Sequence, residues 1–290
     1  LKSYWQAIRA CRRFGMPVMV RGDSQLGTLR SRIKAGVKSL VYPLVLRQFD
    51  ACLYVGQKNR EYLEHYGVPA DRLFFSPHCV DNAAFAAGAQ RVDRSGERAR
   101  LGIPAAANVV LFVGKLIDVK RPMDLLLALK ILRERGIDVW GLVAGDGPLR
   151  ALLQEQARDW AVPMIFMGFR NQSELPAVYV MADVLCLPSE GETWGLVVNE
   201  ALACGTPVVV TDAVGCAPDL ALSGRTGEIY SMGNPLAAAD AIQRILDHPP
   251  PANLLAETIQ SHSVAAAAQG ILQAACWVQS SQFESQGQNP

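Results

Sequence analysis

The segment "PSEGETWGLVVNEALACGTPVVV" (residues 188–210) carries loop, helix and strand signals in one run. "GLVVNEALACG" reads as a helix closed by Gly205, where a glycine just past the last helical turn is the usual stop. "PVVVTD" after it is a short apolar strand, and "DVLCLPS" (183–189) before it is another. Two apolar strands joined through a helix form a parallel crossover unit. Two glutamates, Glu192 and Glu200, stand in this run with seven residues between them.

The same rhythm extends in both directions. "VVLFVGK" is strand-like, and "RPMDLLLALKILRERG" is a helix with Pro122 in its first turn and Gly136 past its end. "VWGLVAGDGP", "MIFMGF" and "DVLCLPS" are strands separated by the helices "LRALLQEQARDWA" and "SELPAVYVMA". Further upstream, "MPVMVRG", "ACLYVG" and "RLFFSP" read as short buried strands, and "QKNREYLEHYG" as a helix. Strands that are apolar throughout and alternate with helices predict an α/β fold with parallel sheets covered on both faces. Such sheets bind ligands beyond the carboxyl ends of their strands. Those ends carry "GK", "GDGP", "GF", "PSEGET" and "TDAVG".

The 290 residues suffice for two domains, and half of them are hydrophobic, which excludes a disordered chain. Residues 1–50 hold ten basic and two acidic side chains, whereas residues 101–290 hold eleven and nineteen. The front is basic and the rear acidic, the pattern of two units with different partners. Seven scattered cysteines form no CxxC pair, so neither a disulfide framework nor a zinc site is indicated, and a reducing, cytoplasmic setting is expected. No apolar run is long enough to span a bilayer. The chain opens on Leu1 inside a helical pattern, "YWQAIRACRRFG", and is read as lacking its true N-terminus.

On a helix starting near Gly195, Glu200 shares a face with Leu196, Val197, Ala203 and Cys204. A half-buried carboxylate there needs donors, supplied either by a bound ribose or by a nearby Lys or Arg. Glu190 and Glu192 precede the helix, where negative charge also compensates the dipole. The amides of Trp194, Gly195 and Leu196 face outward from the helix start and suit an anion. Lys115, after a strand, and Lys120, before a helix, suit a diphosphate or are two solvated surface lysines. "GDGP" is a structural turn, since no GxGxxG is present. No Asp-x-Asp pair occurs, so no metal is expected.

Residues 109 to about 247 resemble the nucleotide-sugar-binding domain of family 4 glycosyltransferases. The elements that carry the likeness are "VVLFVGKLIDVKRPMDLLLAL", "VAGDGPLR", "FMGF", "ADVLCLPSEGETWGLVVNEALACGTPVVVTDAVG" and "SGRTGEIY", in that order. "RGDSQL" and "LFFSPHCVDNAAF" extend it loosely upstream. The resemblance implies a GT-B architecture of two Rossmann-like domains, the first incomplete here. It implies metal-independent transfer of a sugar from a nucleotide-diphosphate donor, with retention of configuration and without a cofactor. Lys115 and Lys120 match the family's basic pair at the diphosphate, with Lys115 where many members have Arg. Glu200 matches the ribose-binding carboxylate, and Glu192 the one near the donor sugar. Thr193, Trp194, Gly195 and Leu196 fall in the donor loop, Trp194 replacing a more usual Phe. Gly168 and Phe169 match the loop bordering the base. Where members often place a donor-facing His, "VMVRGDSQ" offers Asp23, and His78 stands where many have Asn.

The expected organisation is a partial acceptor-side domain at 1–92, a linker at 93–108 and the donor domain at 109–255. A C-terminal helix at 256–279 packs on the first domain, and a frayed tail follows at 280–290. With so short a front domain, weak donor binding and poor transfer by this chain alone are expected. The expected partners are a nucleotide sugar and a glycan or lipid-linked acceptor, with no nucleic acid. The stretch 29–49 places Arg30, Lys34 and Lys38 on one helical face and Leu29, Ile33, Val37, Leu40 and Leu44 on another, a pattern suited either to anionic lipid or to packing on its own sheet. Adhesion through "RGDS" is disfavoured by the apolar strand before it. The alternatives to a transferase are a sugar-nucleotide epimerase of the same fold and a non-catalytic nucleotide-sugar-binding protein.

Overall fold

The computed structural model describes residues 2–26 and 32–287, the side chains of 32–38 and 282–287 excepted. The chain divides into two compact units, one of the described residues up to His78 with those from Ser263 onward, the other Cys79–His262.

The first unit runs α1 (Lys2–Arg13), β1 (Met19–Gly22), α2 (Arg32–Leu46), β2 (Ala51–Tyr54), α3 (Gln57–His65) and β3 (Leu73–Phe75). Its sheet has the order β1-β2-β3, parallel throughout. Strand β2 shows why short apolar strands alternate their contacts. Cys52 packs with Ile8, Phe49, Tyr62 and Leu63, whereas its neighbours Ala51 and Leu53 join a separate cluster with Ala274 and Val278 of the last helix.

The second unit begins with α4 (Asn82–Gln90) and α5 (Arg94–Arg100), capped by the side chains of Asp81 and Asp93. Then follow β4 (Asn108–Val113), α6 (Pro122–Glu134), β5 (Val139–Ala144), α7 (Arg150–Asp159), β6 (Met164–Gly168), α8 (Leu175–Met181) and β7 (Val184–Leu187). After these come α9 (Leu196–Ala203), β8 (Val208–Thr211), α10 (Ala217–Leu220), β9 (Gly227–Tyr230), α11 (Pro235–Asp247) and α12 (Ala252–Gln260). The last helix of the chain, α13 (Val264–Gly287), belongs to the first unit.

The second unit's six strands are parallel, in the order β6-β5-β4-β7-β8-β9. Val110, Phe112, Val184, Cys186 and Val209 pack with Leu125, Leu129, Ala238 and Ile242 from α6 and α11. The alternate residues Val109, Leu111, Leu185, Val208 and Val210 are buried as well. Burial on both faces explains why these strands read as unbroken apolar runs.

The division departs from the sequence expectation in three places. Residues 79–92 join the second unit rather than the first. The stretch 93–108 is no linker, because α5 is part of that unit. Buried Arg98 donates to the Met181 carbonyl at 2.8 Å, to the Ala107 carbonyl at 3.2 Å and to Asp183 at 2.7 Å. Asp183, half-buried and also paired with Arg94, accepts the Val109 amide at 2.7 Å, so this charged cluster ties α5 to the start of β4 and the end of α8. The expected helix at 256–279 is two helices, α12 in the second unit and α13 in the first, and α13 continues through Gly287 into the expected tail.

Candidate functional site

Strand order reverses between β4 and β7: from β4 the chain moves outward to β5 and β6, and from β7 it moves the other way to β8 and β9. Connections leaving such a pair diverge and open a crevice at the carboxyl ends. Lys115 follows β4 there, and the loop from Pro188 to Gly195 follows β7.

The β4 side is set by close backbone approaches. A Cβ on Gly145 would stand 1.8 Å from the Gly114 carbonyl oxygen, and one on Gly147 2.4 Å from that of Leu116. The Gly114 amide donates to Ala144 and the Leu116 amide to Asp146. The "GDGP" turn is therefore a brace for the Lys115 segment. Lys115 itself is exposed. A 3₁₀ turn at Asp118–Lys120 follows, and Arg121 then takes a left-handed φ of 47° immediately before Pro122, which disfavours the right-handed helical region for the residue preceding it.

The β7 loop is sewn down from both sides. The Glu190 amide donates to the Val119 carbonyl, the Gly215 amide to that of Glu192, and the Cys216 amide to that of Trp194. The Thr211 hydroxyl donates to the Ser189 carbonyl at 2.6 Å. Charge follows the same geometry. The Lys120 ammonium pairs with Glu192, both partly buried. Arg121 binds Asp124 through two nitrogens and reaches Glu190 at 3.3 Å. Glu190 and Glu192 are thus paired with side chains from the segment after β4, which adds to any interaction with the helix dipole.

The indole of Trp194 is buried. Its Nε1 donates to Asn199 at 2.8 Å, and its ring stacks on His262 at 5.6 Å. Gly195 takes φ 103° and no side chain caps α9, so its first-turn amides remain directed at the crevice end of the helix. Leu196 and Thr193 are exposed. Glu200 lies on the half-exposed face of α9, while Val198, Asn199, Ala201 and Leu202 form the buried face. Its donor is neither a lysine nor an arginine but the Tyr179 hydroxyl, at 2.6 Å. Burial pushes the Glu200 carboxyl up from its ordinary range, and the Tyr179 bond opposes that shift. At the end of β6, the Gly168 carbonyl accepts the Gly145 amide at 2.8 Å, and Phe169 is 76% exposed.

Asp23 and His78 lie in the first unit. They approach to 3.7 Å, and Arg21 reaches the Ser76 and Pro77 carbonyls and comes within 3.5 Å of His78 Nδ1. Burial, together with the Arg21 charge, lowers the His78 pKa. Tyr179, Arg121, Asn199 and His262 were not singled out by the sequence reading. Asn199 was detectable as a lone amide inside an apolar helix, but Tyr179 had no such signal, because its partner lies one crossover away.

Two parallel-sheet units, with the larger one carrying basic and acidic side chains at its switch point, define a GT-B-type α/β protein. The family model for glycosyl transferases group 1 matches residues 93–262, and the chain belongs to that family. It is 35% identical over 217 residues to a D-inositol 3-phosphate glycosyltransferase of Corynebacterium aurimucosum, covering 71% of this chain and 51% of the relative. It is 33% identical over 200 residues to the protein of the same name from an Arthrobacter species, covering 65% and 45%. The chain thus spans about half the length of these curated relatives. Among solved structures, Anabaena HepE in complex with UDP and glucose superposes with a TM-score of 0.72 at 21% identity, covering 93% of this chain and 74% of that one. Sucrose-phosphate synthase from Thermosynechococcus elongatus gives 0.72 at 22%, covering 96% and 71%. At these identities the likeness is one of fold.

Proposed function

We propose that this chain carries the donor-binding part of a retaining, metal-independent glycosyltransferase that moves a sugar from a nucleotide-diphosphate sugar to a glycan or lipid-linked acceptor. The observation that supports it best is the convergence of Lys115, Lys120 and the uncapped start of α9 on one switch-point crevice. Two ammonium groups and a helix N-terminus stabilise a diphosphate, both bound and as it leaves. In this reading Lys120 turns from Glu192 to the phosphates, and the Glu192 carboxylate accepts sugar hydroxyls. Glu200 holds the ribose, and Gly168 and Phe169 border the base. A structural neighbour, Anabaena HepE, was crystallised with UDP and glucose, in keeping with a nucleotide-sugar donor.

A lipid-linked acceptor is favoured by the surface of the first unit. Helix α1 exposes Tyr4 and carries basic Arg12 and Arg13, Phe14 is exposed just beyond it, and α2 exposes Leu40 and Leu44. Leu29 and Arg30 of the expected amphipathic stretch lie outside the described residues, as do the side chains of Ile33, Lys34, Val37 and Lys38. The proposed contact is peripheral, at the cytoplasmic face; no helix among the described residues is long and apolar enough to cross a membrane. Salt-sensitive sedimentation with anionic vesicles supports it; the absence of binding refutes it.

The donor site is tested by calorimetry with UDP, GDP and ADP on a Lys115→Ala/Lys120→Ala variant. An affinity loss of at least about ten-fold is expected, since charge-assisted contacts are the strong ones. Unchanged affinity rejects the diphosphate assignment. Product analysis with and without added acceptor separates transfer from epimerisation, and turnover that persists in EDTA tests metal independence.

A further inference from the structure

On α9, the helix that starts at the crevice, Glu200 is held by a residue that donor chemistry does not require. Tyr179 is fully buried in α8, with its ring edge-on to Phe85 at a centroid distance of 6.4 Å. Its carbonyl accepts the Thr206 hydroxyl at 2.8 Å, so both ends of the residue are fixed. Its hydroxyl donates to Glu200 Oε2 at 2.6 Å, which is the carboxylate's one side-chain hydrogen bond among the described residues. Oε1 and the second lone pair of Oε2 remain for other donors.

We infer that Tyr179 is a positioning residue: it fixes Glu200 with one oxygen engaged and the other presented, so that the carboxylate accepts the two hydroxyls of a ribonucleoside diphosphate and discriminates against a 2′-deoxy nucleotide. The inference rests on the assignment of Glu200 to the ribose. A free carboxylate on a half-exposed helix face would sample several rotamers and lose that freedom on binding. A carboxylate already bonded to a rigid phenol has lost it beforehand.

The phenol also affects the charge. Burial raises the Glu200 pKa and Tyr179 lowers it, while the Tyr179 pKa lies well above its ordinary value, so the hydroxyl stays a donor throughout the working range. The titratable group beside this pair is Cys204 at the end of α9, whose thiol burial and the Glu200 charge push up to about 12, so it stays neutral. The ionised carboxylate is the stronger acceptor of the two hydroxyls. Ribonucleotide affinity should therefore fall as pH is lowered through the Glu200 pKa. Removing the phenol raises that pKa further and moves the fall to higher pH.

The test is calorimetry from pH 5 to 8 with UDP, GDP, ADP and their 2′-deoxy forms on wild type, Tyr179→Phe and Glu200→Gln. Tyr179→Phe keeps the ring packing. It should bind the preferred ribonucleotide about ten-fold more weakly at pH 7.5, lose most ribo-over-deoxy preference and shift the acid fall upward by about one pH unit. Uniform 3-fluorotyrosine incorporation, which gives a stronger phenol donor without a change of fold, should shift the acid fall downward. Glu200→Gln should lose both the preference and the part of the acid fall that wild type shows with the ribo- but not the 2′-deoxy forms, which share the titration of the diphosphate. If Glu200→Gln behaves as expected while Tyr179→Phe and the fluorinated protein match wild type, the positioning role is overturned and the ribose assignment stands. If Glu200→Gln binds like wild type, the ribose assignment fails and the role of Tyr179 with it.

Discussion

Gly215→Ala should disable nucleotide binding from outside the crevice. Gly215 has an ordinary backbone conformation but lies against the β7 loop: a Cβ there would stand 1.9 Å from the Thr193 carbonyl oxygen, 2.5 Å from its carbon and 3.0 Å from the Trp194 Cα. Carbon and oxygen normally approach no closer than about 3.3 Å, so the two segments must separate by about 1.4 Å. All the atoms met are backbone, and no rotamer change relieves the contact. The separation also pulls on the bond from the Gly215 amide to the Glu192 carbonyl, 2.9 Å in the native chain. Overpacking of this kind costs about 1–3 kcal/mol of stability. A displacement of about 1 Å at a positioned site costs on the order of 100-fold in function. Gly205→Ala is the control. Gly205 has a φ of 81° and nothing within 4 Å of a built Cβ, so alanine there strains the backbone by about 1 kcal/mol without moving the loop. Urea denaturation and calorimetry with UDP, GDP and ADP should find both variants modestly destabilised and only Gly215→Ala deficient in binding. Equal affinities in the two variants would refute the claim that the Glu192–Leu196 backbone holds the nucleotide.

Three further outcomes follow from packing and charge. Arg98→Ala removes one of two arginines from the half-buried Asp183, which keeps Arg94, and leaves the Met181 and Ala107 carbonyls without this donor; it should cost about 1–3 kcal/mol in urea denaturation, with the loss confined to the second unit. Gly270→Ala drives a Cβ to 1.8 Å from the Phe75 carbonyl oxygen and should destabilise the first unit, read as earlier proteolysis of that unit while nucleotide binding by the second is retained. His262 is buried against Trp194, and burial lowers its pKa to about 4. The unfolded chain then binds this proton more readily than the folded one between about pH 6.5 and pH 4. Stability is complete above that window and falls by about 3 kcal/mol as pH drops through it. His262→Phe should abolish this part of the acid slope, and an unchanged slope would place the loss elsewhere.

Much of the larger unit was legible because its strands are buried on both faces and its helices are punctuated. Pro122 and Gly136 bracket α6, and Gly205 lies just past α9. The end of the first unit was placed less well. Asp81 and Asp93 cap two helices in the stretch around the supposed linker, but polar composition alone does not reveal that Arg98 is buried. The break between α12 and α13 carries no proline or glycine, only Ser261, His262 and Ser263. Its nearby stabilisers are non-local: the Asn82 side chain donates to the Ile259 and His262 carbonyls at 3.0 and 3.3 Å.

By itself, the sequence determined which residues could form strands and helices, because side-chain periodicity and the backbone limits of proline and glycine are local properties. It also placed Lys115, Lys120, Glu192 and the start of α9 at strand ends, where a parallel sheet exposes ligand-binding loops. Partnership was decided by the tertiary structure. Strand order joins the β4 and β7 ends and thereby sets Lys120 against Glu192 and Arg121 against Glu190. It also gives Glu200 a tyrosine rather than a cation. These pairs are separated by 72, 69 and 21 residues. At such separations no local periodicity relates the partners, and the distances are fixed only when crossover helices pack on a common sheet.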